Sequence, residues 1–153
     1  MSYDSRPDTH EHIREVRVNL NKVIIDLINR ANVHDASKLV SPEVEAFDRV
    51  TPILKTLDYG SEEYNINKDL LGSALDHHYA NNSHHPEFFK NGIKGMSLMD
   101  IIEMLCDWKA AVLRMKGGSI EESIEINQKR FGYSDELKQI FINTLPLLEG
   151  SNE

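Results

Sequence analysis

The chain has 153 residues, a formal net charge of −8 and 40% hydrophobic residues, which fits one domain with a core of its own. The negative charge argues against binding along a nucleic-acid backbone, which needs a basic surface. It does not exclude a small anionic substrate that a metal ion and a few Lys or Arg side chains hold.

The apolar runs are too short for a membrane protein. No run approaches the roughly 18 apolar residues that a membrane span needs, and the first residues have no apolar segment typical of a signal peptide. Cys106 is the only cysteine and lies in an apolar pattern, which favours a reducing compartment. We therefore expect a cytoplasmic protein of a bacterium or a phage-infected cell.

The first half of the chain has helical periodicity. Apolar residues at helical spacing predict a first helix over 9–32. Ser41 before Pro42 predicts the start of a second helix, 42–57, which Pro52 kinks or ends. A loop or short helix follows, and then a third helix over 66–80.

The second half is helical as well. Ser97 and Asp100 form a capping box that predicts a helix ending at Gly117–Gly118. Two further helices are predicted over 119–130 and 134–145, and no strand signal competes with these assignments. The predicted fold is all-α: a single-domain bundle of about six helices over residues 1–153.

All but one of the seven histidines lie in close pairs, and the remaining one precedes an aspartate. His34-Asp35 could bind one metal ion or bridge two; the alternative is a capping Asp beside a surface His. The pair His77-His78 lies at the apolar face of the third predicted helix. Buried imidazoles need hydrogen-bond partners or a metal ion, although one core His beside a surface His would look the same.

Two further features point to the same chemistry. His84-His85 lies in a loop that could close over a site, or it is an ordinary solvated loop. Asp107 lies in mid-helix, where Asp is unfavourable without a reason, although pairing with Lys109 or Lys116 would be one. Taken together, these motifs bring imidazole or carboxylate to the apolar faces of separate helices, which suits a binuclear transition-metal site.

These motifs resemble a known superfamily. His34-Asp35 followed by Ser37-Lys38 resembles the HD-x-x-K signature of HD-domain metalloproteins. The His77-His78 pair, a loop and then Asp107 resemble part of the HD-domain cyclic-dinucleotide phosphodiesterases. More closely, the runs 75–89 and 96–111 resemble an uncharacterised family of small HD-like proteins from bacteria and phages.

The resemblance implies metal-dependent hydrolysis of a phosphate ester or anhydride, with a nucleotide as the expected substrate. It implies two divalent metal ions, with Mn, Fe, Mg, Co and Zn not distinguished. The implied roles of the residues are as follows: His34, Asp35 and Asp107 are ligands, with Asp35 bridging; His77 and His78 complete the second site; and Lys38 holds a phosphate oxygen.

One departure concerns the first histidine ligand, which HD domains usually carry on an earlier helix. His12 is the tentative candidate, yet in one straight helix it lies about 33 Å from His34. Three alternatives follow. The helix breaks near Asn19–Asn21, His84 or His85 replaces the missing ligand, or His12 reaches the site of a partner subunit.

The predicted mechanism is attack of a metal-activated hydroxide on phosphorus. Asp35 bridges the two metal ions, the ions and Lys38 take up the charge that develops on the phosphoryl oxygens, and His84 or His85 protonates the leaving oxygen. Two rival functions remain: a di-iron oxygenase on the same ligands, and a non-catalytic module that binds a nucleotide or a partner. The apolar face of the last third of the chain completes the core or forms a homodimer contact.

Overall fold

The computed structural model describes residues 3–58, 60–114 and 118–149. Within these ranges the chain forms α-helices and short 3-10 turns and no strand, so the all-α prediction is confirmed. The helices are α1 (Arg6–Val33), α2 (Glu43–Leu54), α3 (Glu62–Asp69), α4 (Ser73–Asn81), α5 (Leu98–Val112), α6 (Ile120–Phe131) and α7 (Asp135–Leu148).

The first of two compact units, Met1–His34, consists of α1 alone. This helix runs without interruption for 28 residues and buries none of them. The proposed break near Asn19–Asn21 is therefore wrong. Because the helix rises about 1.5 Å per residue, His12 and His34 lie roughly 33 Å apart. The tentative assignment of His12 to a cluster that contains His34 of the same chain is wrong for this reason.

The second unit, Asp35–Glu153, contains two apolar cores. The larger lies where α5, α6 and α7 meet, and Met104, Ile124 and Phe141 are its most buried side chains. The smaller lies between α2 and α4, around Val50 and Ala74. One domain over 1–153 stays a prediction, because the contacts within the chain divide it into two compact units.

The single helix predicted over 66–80 is wrong, because the chain turns between α3 and α4. Gly72 has φ +50° and ψ −130°, a backbone conformation that side chains with a Cβ rarely adopt. The described chain therefore has seven α-helices instead of about six. Pro52 lies in the last turn of α2, which ends at Leu54. This agrees with the prediction, because proline has no backbone N–H to donate within a helix.

The start of α5 agrees with the predicted capping box. The Ser97 hydroxyl accepts a hydrogen bond from the Asp100 backbone N–H, and the Asp100 carboxylate accepts one from the Ser97 N–H. The predicted end at Gly117–Gly118 falls partly outside the described residues, and α5 itself ends at Val112. None of the described helices is both long and apolar enough to cross a bilayer.

The turn at Gly72 leads to a stability prediction. We expect Gly72→Ala to lower the free energy of unfolding by about 1–3 kcal/mol, because a Cβ is strained at this φ and ψ. Urea denaturation measures the change. Gly132→Asn is the matched control, since its φ of +65° and ψ of +31° lie in the left-handed region that Asn tolerates. An unchanged stability of Gly72→Ala would contradict this account of the turn.

Candidate metal centre

The site begins at Asp35, where the chain leaves the conformation of a helix. Asp35 has φ 55° and ψ 15°, and it is the only non-glycine residue with a positive φ in the described ranges. Asp tolerates this left-handed conformation better than most residues. The Lys38 ammonium donates to Oδ2 of Asp35 at 2.6 Å. The other carboxylate oxygen, Oδ1, faces two histidines.

Three histidine side chains lie around the Asp35 carboxylate. His78 comes from α4, and His84 and His85 come from the loop after it. The Nε2 atoms of His78 and His84 lie 3.4 and 3.5 Å from Asp35 Oδ1, and those of His78 and His85 lie 2.9 Å apart. Each of the four side chains offers one potential ligand atom, and these atoms all lie within 4.8 Å of one another.

A buried carboxylate behind the cluster orients His78. Glu43, at the start of α2, has no solvent exposure. Its Oε2 lies 2.9 Å from His78 Nδ1 and accepts a hydrogen bond from the Ser37 hydroxyl at 3.0 Å. Burial acts to raise the pKa of Glu43, but hydrogen bonds with His77, Ser37 and His78 outweigh it and lower the pKa. Glu43 is therefore ionised at neutral pH.

The protonation of His78 follows from its two neighbours. Burial and the charge of Lys38 lower the pKa of His78, so its ring is neutral at pH 7. A carboxylate only accepts hydrogen bonds, and Glu43 Oε2 lies 2.9 Å from Nδ1, whereas Asp35 Oδ1 lies 3.4 Å from Nε2. We therefore assign the ring proton to Nδ1, facing Glu43. The Nε2 lone pair then points toward Asp35 and His85. This carboxylate–histidine arrangement is the one that orients imidazole ligands toward metal ions in proteins.

His84 is oriented in a similar way from α5. Its Nδ1 lies 3.2 Å from Oε1 of Glu103, and its ring is 2% exposed. The hydroxyl of the preceding residue, Ser83, donates a hydrogen bond to Asp100 Oδ1 at 2.6 Å. The buried capping residue of α5 thus anchors the loop that carries His84 and His85.

His85 completes the cluster as a neutral imidazole. Burial lowers the pKa of His85 far below its ordinary value, and the nearby charges of His84 and His78 add to the effect. A neutral ring keeps one nitrogen lone pair, which a metal ion requires of an imidazole ligand. With His78 protonated on Nδ1, the 2.9 Å separation fits either an Nε2–H donated by His85 or two lone pairs directed at one cation.

The other predicted ligands have different positions. His77 points to the opposite oxygen of Glu43, with Nδ1 2.7 Å from Oε1, and the structure does not bring it into the cluster. Asp107 is half-buried on α5, and its ligand atom lies within 4.8 Å of that of His84. His34 is the last residue of the first unit and adjoins Asp35 along the chain. Its role as a ligand stays a prediction.

A cleft of about 510 Å³ opens beside the cluster in the second unit. Asp35, His85 and Asp107 line it on the cluster side. Basic and aromatic side chains supply most of the functional groups elsewhere on its wall. These are Lys38, Lys55, Lys68, Arg114 and Arg130, together with Phe47, Tyr64, Tyr79, Trp108 and Phe131.

The sequence pattern did not indicate the two carboxylates behind the histidines. Glu43 lies at the start of the second predicted helix, where an acidic residue ordinarily stabilises the helix dipole from an exposed position. Glu103 lies on a helix with two other acidic residues, Asp100 and Asp107. The one available signal is the prediction of histidines on the apolar face of the third predicted helix, since buried imidazoles need partners.

A model of a family of unknown function, DUF5662, matches residues 1–147. The chain belongs to this family. No curated protein and no solved structure matches the chain. The family description names no reaction, so the function of this DUF5662 member has to be argued from the site.

The buried histidines lead to a prediction on pH. In the unfolded chain, His78 and His85 take up protons near their ordinary pKa of about 6.5, whereas burial lowers the pKa of both in the folded protein. The unfolded state then binds more protons, so the free energy of unfolding of metal-free protein falls as the pH drops below about 6.5. The limiting slope is about 1.4 kcal/mol per pH unit for each histidine.

Urea denaturation in EDTA at pH 7.5, 6.5 and 5.5 measures this slope. His85→Asn removes one of the two groups and should flatten the slope, whereas His10→Asn on the exposed surface of α1 should leave it unchanged. A free energy of unfolding that stays constant from pH 7.5 to 5.5 would be inconsistent with neutral buried histidines.

Proposed function

We propose that this protein is a metal-dependent phosphohydrolase that acts on a nucleotide or another small phosphate ester. The observation that carries the proposal is the convergence of His78, His84 and His85 on Asp35 Oδ1. Carboxylates behind two of these rings direct the Nε2 atoms inward. Such an arrangement is costly for a buried site unless a cation offsets the negative charge and the facing lone pairs.

The spacing of the four side chains supports a metal ion. Ligand atoms that lie 2.0–2.1 Å from a tetrahedral ion are about 3.3 Å from one another. The observed separations of 2.9, 3.4 and 3.5 Å bracket that value. An imidazole-rich set favours a transition metal over Mg²⁺ or Ca²⁺, which prefer oxygen ligands. Asp107, close to His84, is the described residue best placed to help hold a second ion.

The residues around the ion serve the chemistry of a phosphate ester. A bound divalent ion supplies Lewis acidity and an activated water. Lys38 neutralises Asp35 Oδ2 and lines the cleft, so its charge faces an incoming phosphate. Arg114 lines the same cleft and offers a second positive charge. These cations would offset the charge that develops on phosphoryl oxygens.

The roles of His84 and His85 are revised in this proposal. The sequence predicts that one of them, His84 or His85, protonates the leaving oxygen. As ligands they use the Nε2 lone pair, and His85 is neutral because burial lowers its pKa. We therefore assign both histidines to metal binding instead of proton transfer.

The character of the cleft supports a small anionic substrate with a planar part. Five basic side chains line it in a chain whose formal net charge is −8. Aromatic side chains line the same wall and offer faces on which a nucleobase can stack. Cytoplasmic location is part of the proposal, since the one cysteine fits a reducing compartment.

Replacing Asp35 tests the proposal directly. We expect Asp35→Asn to lose metal and hydrolytic activity by more than the roughly 10–100-fold that loss of an outer partner costs. Asn is chosen because it tolerates the positive φ at this position. Elemental analysis of purified protein and a panel of nucleotides and phosphomonoesters measure the two quantities.

Asp48→Asn, at an exposed position on α2, is the matched control and should behave as the wild type. Full metal content together with full activity in Asp35→Asn would refute the site. Metal binding and tight nucleotide binding without turnover would favour the non-catalytic alternative, and turnover that requires oxygen would favour the oxygenase.

Glu43 provides an independent test of the metal centre. We expect Glu43→Gln to weaken Zn²⁺ affinity about 10–100-fold, because a neutral amide no longer holds the His78 proton on Nδ1 as firmly. Competition with a chromophoric chelator measures the affinity. Glu45→Gln, exposed on the same helix, should leave it unchanged. Equal affinities of the two variants would mean that Glu43 does not orient a ligand.

A further inference from the structure

Two basic side chains from different helices line the cleft in addition to the residues of the histidine cluster. Lys68 comes from the end of α3 and Arg130 from the end of α6, and both line the cleft. Burial lowers the pKa of Lys68, and the positive charge of Arg130 lowers it further. Nearby acidic groups, Asp69 and Glu87, act in the opposite direction but do not cancel these effects. The geometric observation is that both side chains line one cleft.

Arg130 also connects this basic pair with the cluster. Its guanidinium donates to the hydroxyl of Tyr79 at 3.2 Å and to Glu87 at 2.5 Å. The ring of Tyr79 lies 4.9 Å from the ring of His85. The positive charge of Arg130 contributes to the lowered pKa of His85. The basic pair therefore lies on the wall next to the cluster and not at a remote part of the surface.

The cleft side of this wall is basic. Asp69 and Glu87 both act on Lys68, but neither of them lines the cleft, whereas Lys68 and Arg130 do. Placing a second cation in a half-buried position beside a first is unfavourable, unless an anion joins them during function. Arg presents a fork that suits phosphate oxygens, and Lys presents a compact charge that also binds phosphate.

We propose that Lys68 and Arg130 form a second phosphate subsite, so that the substrate carries one phosphate at the histidine cluster and another at this basic pair. The proposal deepens the proposed function and rests on it for the assignment of the first phosphate. It names a substrate class, a diphosphate or a bisphosphate, in preference to a simple monoester. Arg130 positions the second phosphate while Tyr79 and Glu87 hold its guanidinium in place.

The first experiment uses metal-free protein, so that it does not depend on the cluster. Imidodiphosphate, which resists hydrolysis, is titrated into the full chain in EDTA by calorimetry. We expect Lys68→Met to weaken binding about tenfold or more, as loss of a charge-assisted hydrogen bond does. Arg130→Gln should weaken it comparably, and Lys68→Arg should restore it. Lys90→Met, at an exposed position outside the cleft, is the matched control.

The second experiment uses metal-loaded protein. Lys68→Met should lower kcat/KM about tenfold or more for substrates with a second phosphate and leave kcat/KM for p-nitrophenyl phosphate unchanged. A nucleoside 5′-diphosphate and a nucleoside 3′,5′-bisphosphate distinguish adjacent from separated phosphates. Equal binding of imidodiphosphate by wild type, Lys68→Met and Lys90→Met overturns the subsite, as does no binding by the wild type.

The two proposals fail in different ways. If Asp35→Asn retains its activity while Lys68→Met loses imidodiphosphate binding, the metal mechanism is wrong and the phosphate subsite stands. If Asp35→Asn loses metal and activity while Lys68→Met affects monoesters and diphosphates equally, the second phosphate subsite is wrong and the hydrolase stands.

Discussion

The arrangement of the site depends on one buried carboxylate. Glu43 has no solvent exposure, and burying an ionised group is costly unless partners satisfy it. His77, His78 and Ser37 provide those partners, so one side chain joins the start of α2, the end of α4 and the turn after Asp35. Because removal of any partner leaves a poorly solvated charge, the three segments are held in one relative position. That position is what directs His78 toward Asp35.

Acidic side chains of α5 hold the loop after α4 in a similar way. One carboxylate oxygen of Asp100 accepts a hydrogen bond from the Ser97 N–H at the start of its own helix. The other accepts a hydrogen bond from the Ser83 hydroxyl. Three residues further along, Glu103 faces Nδ1 of His84. A capping box, which usually serves only to satisfy a helix end, here also sets the position of two imidazoles. The core around Trp108 and Phe141 packs this helix against α6 and α7.

The net charge of the chain does not describe the charge around the cleft. The formal net charge is −8, yet five basic side chains line one cleft. Acidic residues behind the histidines and basic residues across the cleft divide the site into two halves. One half suits a cation and the other suits anions, and a metal-bound phosphate compound satisfies both.

The sequence by itself determined the helical class, the capping box at Ser97 and the residue types of the cluster, because helix periodicity, capping and the demands of buried imidazoles are local. It also indicated Asp35, His78 and the His84–His85 pair. Only the tertiary structure decided that His77 bonds to Glu43 instead of joining the cluster, since one residue of rotation on a helix changes which side chain faces inward. The same holds for Glu43, Glu103 and the Lys68–Arg130 pair, whose partners lie on other helices and leave no trace in local spacing.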